Sequence, residues 1–191
     1  EWVRDVTEEG IEPHPGPGII SQNVDGLSAC LRTCLLSILR IHSQKPLAAA
    51  CIQEHHLTRA KIAELDAEDA AMRLGILLIV NPKPDSEPKG GTAIAIPLDA
   101  MELLAGETRD TAIARIRQSA YLSRNGRLIT VDITLNAQPH RIACAYAPQD
   151  ATRPQFLAGI KDKINDHTVL ALDANCVPDT TLDLKRAAST P

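Results

Sequence analysis

The chain has 191 residues, 44% hydrophobic and 23% charged, with a net charge of −4. That balance excludes a disordered or collagen-like chain, and no apolar run reaches the roughly 18 residues a membrane-spanning helix needs. The mild acidity also excludes a protein that coats nucleic acid through bulk charge, although a local basic patch stays open.

Asp5, Glu8 and Glu9 stand where a secretory leader needs basic and then apolar residues. The five cysteines, Cys30, Cys34, Cys51, Cys144 and Cys176, form an odd set with no Cys-x-x-Cys spacing, and are expected to be reduced in an intracellular protein. Cys30 and Cys34, one helical turn apart in an apolar run, read as buried thiols. Aromatics are only 2%, so the core must be built from Leu, Ile, Val and Ala, which bury less area per residue.

In chain order, Glu12 to Gly18 holds three prolines and two glycines and reads as the end of a linker over residues 1–18. Ile19 to Asn23 is a short strand. Leu27 to His42 is a helix with Leu31, Leu35, Ile38 and Leu39 at helical spacing. Leu47 to Gln53 reads as a buried strand. Thr58 is an expected N-cap for a helix through Met72, and Gly75 to Val80 is again a buried strand. The second half reads mostly as successive strands: Thr92 to Ile96, Thr111 to Tyr121, Arg127 to Leu135 and Arg141 to Tyr146, with Asn125-Gly126 as a hairpin turn. A helix from Thr152 to Ile164 and a strand from Thr168 to Leu172 complete the pattern. The expected architecture is a four-layer α/β sandwich, two packed and mainly antiparallel sheets flanked by helices.

Functional groups in α/β proteins gather where strands end at one edge of a sheet. Here Asn23 and Asp25 follow the first strand, Glu54 the second, Tyr146 a later one, and Asp173 and Asn175 the last. Carboxylates converging with amides and a phenol make a hard-oxygen site suited to a magnesium-like ion. Any one of these residues alone is more often a cap or a solvated loop group; their joint placement carries the inference.

Those residues also carry a resemblance. Asn23-Val24-Asp25-Gly26-Leu27, Ile52-Gln53-Glu54-His55-His56, Gly90-Gly91-Thr92-Ala93, Tyr146-Ala147-Pro148 and Leu172-Asp173-Ala174-Asn175, followed by Asp183, occur in the order and approximate spacing of the endonuclease/exonuclease/phosphatase family. The chain resembles the apurinic-type endonuclease domain of non-LTR retrotransposons. Gly10 to Pro17 is similar to the Pro-Gly-Pro segment found upstream of such domains, with Gly10 and His14 departing from it.

The resemblance implies roles. Glu54 matches the metal-binding glutamate, and Asn23 and Asp25 match groups that complete or border that site, for Mg2+ or Mn2+. Asp173 matches the aspartate that orients or deprotonates the attacking water. Asn175 matches the amide that holds the substrate phosphate, and Tyr146 the phenol that hydrogen-bonds it. The implied function is nicking of DNA by phosphodiester hydrolysis, within a longer parent chain carrying a downstream reverse transcriptase. Two other readings stay open: a phosphatase or phosphodiesterase acting on small phosphoesters, and a degenerate domain without catalysis.

The departures are specific. Leu172 and Ala174 replace a glycine and an aromatic. The closing Ser-Asp-His motif has no counterpart, since no histidine follows His167, and the domain over residues 19–191 is expected to be incomplete at its C-terminus. His55 and His56 point to opposite sides of an extended segment, so they are expected to play structural or supporting roles rather than both bind one ion. Gly90-Gly91 lacks the order of a phosphate loop and reads as a tight approach to the strand at Thr92. Finally, Arg115, Arg117, Arg124 and Arg127 lie in a stretch without acidic residues. They read either as DNA phosphate contacts or as the solvated face of a meander.

Overall fold

The structure, a computed structural model, describes residues 17–175. The linker expected over residues 1–18 falls outside that range up to residue 16, as do Cys176 and Asp183. The elements are β1 (Gly18–Asn23), α1 (Leu31–Gln44), β2 (Leu47–Gln53), α2 (Arg59–Glu64), α3 (Ala67–Arg73), β3 (Ile76–Asn81), β4 (Thr92–Pro97), α4 (Arg109–Ser119), β5 (Tyr121–Leu122), β6 (Leu128–Leu135), β7 (Gln138–Tyr146), α5 (Arg153–Ile160), a 3-10 turn (Lys161–Lys163) and β8 (Thr168–Asp173).

Two four-stranded sheets form, ordered β1-β2-β4-β3 and β5-β6-β7-β8. The pairs β1–β2 and β7–β8 are parallel and the other four antiparallel, so the sheets are mixed but mainly antiparallel. The period-two pleat then sorts the side chains. Ala49, Cys51, Leu77, Ile79, Ile94 and Ile96 meet Ile129, Val131, Ile142 and Cys144 between the sheets. Ala50, Ile52, Leu78 and Ala95 face the opposite way, against Leu31, Leu35 and Ile38 of α1 and Ala67 and Ala71 of α3. Leu128 and Ala145 cover the outer face of the second sheet against Phe156, Leu157 and Ile160 of α5. The result is the expected four layers of helices, sheet, sheet and helix. Strands buried on both faces read as continuous apolar runs, which is why β2 and β3 were legible.

Three expectations are corrected. The strand placed at Thr111 to Tyr121 is the helix α4: the Thr108 hydroxyl accepts from the Thr111 N–H, Thr111 reciprocates, and Ala112 and Ile116, four apart, are buried. Arg115 and Arg117 alternate with apolar residues and so imitate a strand. The single helix from Thr58 divides into α2 and α3 at Asp66, whose φ of 49° no helix tolerates; the Thr58 cap itself forms, accepting from Lys61 N–H. Cys30 is exposed and Cys34 half-buried rather than both buried. Burial and the neighbouring Cys30 push the Cys34 thiol up to about 11, so it stays protonated. Asn125-Gly126 does lie in the turn joining β5 to β6, although that connection spans more than two residues.

Candidate metal site

The two parallel pairs set up the site. β1 and β2 run side by side with Asn23 opposite Gln53, and β7 and β8 run side by side with Tyr146 opposite Asp173. All four strands therefore end at one edge of the sandwich, and packing of the two sheets brings their terminal residues together. The Tyr146 hydroxyl donates to Glu54 Oε1 at 2.6 Å across the two sheets. Asn23 Nδ2 donates to Glu54 Oε2 at 2.7 Å and to Asp173 Oδ2 at 2.8 Å, bridging a carboxylate from each sheet. The Asn23 oxygen is turned away, accepting the Asp25 N–H at 3.1 Å. Asn23 thus completes the cluster as a bridge, not by offering its oxygen to an ion.

The loops here have unusual backbone. Asp25, Glu54, His56 and Asn175 are non-glycine residues with φ between 43° and 59°, four of the seven such residues in the described chain. Each costs about 1 kcal/mol or more, and the surrounding hydrogen bonds hold them in place. Gly26 N–H donates to Glu54 carbonyl oxygen, Leu27 N–H to that of His55, and His56 N–H to that of Gly90.

Burial pushes the Glu54 carboxyl up. The hydrogen bonds from Tyr146 and Asn23 and the charge of Lys89 outweigh that, holding it below the ordinary carboxylate value and therefore ionised. Tyr146 moves the other way: burial, then its bond to Glu54, push the phenol up to about 12, so it remains a donor at neutral pH.

The donor set suits a divalent cation. Asp25, Glu54 and His56 each offer a ligand atom within 4.8 Å of the others. His56 Nε2 lies 3.6 Å from Glu54 Oε1 and 3.9 Å from Asp25 Oδ1 and is buried without any hydrogen-bond partner. A buried nitrogen left unpaired beside two carboxylates is accounted for by a cation that all three would hold.

Asn175 is close but otherwise engaged. Its Nδ2 donates to Ala147 carbonyl oxygen at 2.6 Å, its oxygen accepts from Gln149 at 3.2 Å, and its own N–H donates to Asp173 Oδ1 at 3.0 Å. Arg153 donates to the Asn175 carbonyl oxygen, which clamps the loop after β8 onto α5.

The four arginines separate. Arg115 makes a bidentate pair with Glu107 at 2.8 and 3.1 Å, and Arg117 lies 3.8 Å from Glu68; both sit on α4, away from the strand ends. Arg124 lies exposed in the β5–β6 turn. Arg127 alone reaches the site, its guanidinium 5.2 Å from the Tyr146 ring centroid, with Nη2 3.7 Å from Glu87 Oε2 and Nη1 buried without a hydrogen-bond partner.

The two histidines do diverge, but not on the extended segment expected: they lie past the end of β2, with positive φ at Glu54 and His56. His55 is buried, with Nδ1 accepting Leu57 N–H at 3.0 Å and Nε2 3.2 Å from the Asn81 carbonyl oxygen, which assigns the proton to Nε2. Sequence reasoning missed Lys89, whose ammonium approaches both Asp25 and Glu54, and Asn81, which ties the two sheets together by donating to Leu128 carbonyl oxygen at 2.9 Å. A lysine directly before Gly90-Gly91 was the available sign of the first. A groove of about 480 Å³ lies elsewhere, between α1 and α3, lined by Leu31, Leu35, Leu65 and Leu74 with no carboxylate.

Solved structures share this arrangement of sheets. An AP endonuclease from Archaeoglobus fulgidus superposes with a TM-score of 0.55 at 16% identity, over 84% of this chain and 58% of that one. The endonuclease domain of TRAS1, a telomere-specific non-LTR retrotransposon, also gives 0.55, at 17% identity over 86% of this chain and 63% of its own. D. rerio TDP2 complexed with single strand DNA product gives 0.51 at 14% identity, over 93% and 67%. The chain thus spans 58% to 67% of the length of these neighbours. No protein-family model and no curated protein matches the sequence. At such identities likeness establishes architecture, and with two facing mixed sheets and helices on both outer faces, the chain has the fold of the endonuclease/exonuclease/phosphatase family.

Proposed function

We propose that this chain is a divalent-metal-dependent phosphodiesterase that nicks DNA, the endonuclease part of a retrotransposon-type protein with a reverse transcriptase elsewhere in its parent. The observation that carries the reading is the Asn23 bridge, which holds the Glu54 and Asp173 carboxylates of two different sheets on one amide nitrogen. The motif order and the likeness to the TRAS1 domain support the DNA substrate and the retrotransposon setting.

In this reading Glu54, Asp25 and His56 would hold Mg2+ or Mn2+, which supplies Lewis-acid charge to the scissile phosphate. The chain's own groups do the rest. Tyr146 and Asn23 keep Glu54 ionised and oriented. Asp173, fixed through both oxygens by Asn23 and Asn175, takes a proton from the attacking water at its carboxylate. Asn175 braces that aspartate, and the unpaired Nη1 of Arg127 is the group poised to receive a phosphate oxygen. The bidentate pair of Arg115 with Glu107 speaks against a phosphate role for that residue.

The test is nicking of supercoiled plasmid by the purified chain in Mg2+ against excess chelator, beside Glu54→Ala. Mg2+-dependent nicking that disappears in Glu54→Ala is expected. Nicking that survives the substitution, or no nicking by the parent chain, overturns the reading. Hydrolysis of a small aryl phosphoester in place of plasmid would assign the site to small substrates.

A further inference from the structure

Lys89, whose charge helps hold Glu54 ionised, has no part in the proposed chemistry, and its position is unusual. Its Nζ lies 3.6 Å from Asp25 Oδ1 and 3.7 Å from Glu54 Oε1. These are the same two oxygens that face the unpaired His56 Nε2. Among the described residues it is the one lysine or arginine paired with any of the three clustered carboxylates, Asp25, Glu54 and Asp173. Both distances exceed hydrogen-bond length, so the ammonium is held by charge and not by directed bonds.

The backbone around it is tied down while the side chain is half exposed. Gly90 and Gly91 carbonyl oxygens accept from the His56 and His55 N–H groups, tying the loop to the segment that bears Glu54. Gly90 and Gly91 have φ of 122° and 88°, a path that L side chains rarely follow. The Lys89 side chain itself is 53% exposed, with room to leave. A lysine, unlike an arginine, is a point charge on a flexible stem with no fork to lock it onto a carboxylate.

We propose that Lys89 is an exchangeable counter-cation: it neutralises Asp25 and Glu54 while the divalent site is empty, and it is released on metal binding to contact a phosphate of the bound DNA strand. The inference rests on the metal-dependent reading above. A single positive charge between two carboxylates competes with a dication for the same oxygens, and a dication there would repel the ammonium toward the solvent side, from which a substrate strand would approach. The exchange keeps the acidic cluster from repelling itself in the metal-free protein, and couples metal uptake to DNA affinity through one side chain.

Two measurements on the full chain and Lys89→Met test this. Calorimetric titration with Mn2+ is expected to give about five- to ten-fold tighter binding in Lys89→Met, because the competing charge is gone. Duplex binding across a salt series is expected to lose about one unit of slope in Lys89→Met with Ca2+ present, and none in chelator, where the ammonium is already engaged. Equal or weaker Mn2+ affinity in Lys89→Met, or a slope change that does not depend on the divalent ion, overturns the exchange. Glu54→Gln separates the two levels of the argument. Mn2+ binding that vanishes in Glu54→Gln yet is unchanged in Lys89→Met rejects the exchange alone, whereas a parent chain that binds no Mn2+, or binds it equally in Glu54→Gln, rejects the metal site and the exchange with it.

Discussion

Two polar clusters lie near the same rim of the sandwich and differ in what they leave unsatisfied. In the seam formed by His55, Asn81 and Ser123, donors and acceptors are matched internally. His55 bonds to Leu57 N–H and faces the Asn81 carbonyl oxygen, Asn81 donates to Leu128 carbonyl oxygen and approaches Ser123 Oγ, and Ser123 Oγ accepts from Leu128 N–H. In the carboxylate cluster, Asp25, Glu54 and Asp173 accumulate negative charge against one loosely held lysine, and a histidine nitrogen is left unpaired. Burial alone does not separate the two, since Glu54 and His55 are both buried. The difference teaches that a closed hydrogen-bond ledger marks structure, while surplus acceptors and an orphan donor or acceptor mark a place for something from outside.

Substitutions can break that comparison. The largest effect falls on the open cluster: Glu54→Gln keeps the shape but removes the charge, and plasmid nicking is expected to fall by at least about 10³-fold with the urea midpoint little changed. A large loss of stability together with activity would mark Glu54 as structural, like His55.

The closed seam is expected to respond in stability. A methyl group at Gly91 would meet the His55 ring at 2.4 Å, on backbone with φ of 88°. Gly91→Ala should therefore cost about 3 kcal/mol, read as a lower urea midpoint at constant slope.

Acid sharpens the contrast further. Desolvation lowers the His55 pKa from 6.5 to about 4. Since the unfolded chain takes up the proton first, the stability held by neutral His55 is complete above about pH 6.5 and is lost as pH falls toward 4, by up to about 3 kcal/mol. Unfolding measured from pH 7 to 4 should show this slope in the parent and lack it in His55→Gln; equal slopes in both would place the effect elsewhere.

Smaller changes probe how the open cluster is held. Tyr146→Phe removes one hydrogen bond to a charged carboxylate and should slow nicking about tenfold without abolishing it. Least of all, Arg115→Ala should leave duplex affinity and its salt slope unchanged, because its guanidinium is occupied by Glu107, whereas Arg127→Ala should reduce the slope by about one. A uniform loss of affinity in Arg115→Ala would restore α4 as a DNA contact.

Much of this was readable in the linear chain. Runs such as Leu47 to Ile52 and Ile76 to Val80 are short, apolar throughout and bounded by turn residues, which is the pattern of a strand covered on both faces. The polar residues that end these strands identified Glu54, Tyr146, Asp173 and Asn23 as a group. Short-range signals failed where two periods coincide: isoleucines and arginines between Ala112 and Arg117 satisfy both a strand and a helix, and the Thr108–Thr111 cap with burial of Ala112 and Ile116 settles it.

Apart from α4, local composition thus marked the principal strands and the residue types at their ends, because side-chain periodicity and turn chemistry act over a few neighbours. Only the tertiary structure decided which of those ends meet. The Glu54 to Tyr146 bond spans 92 positions and the Asn23 to Asp173 bond 150, and such contacts exist only once two sheets have packed face to face. The same packing assigned the neighbouring His55 and His56 to different fates, one ring sealed among matched partners and the other aimed at two carboxylates, because the left-handed backbone at Glu54 and His56 turns the two side chains apart.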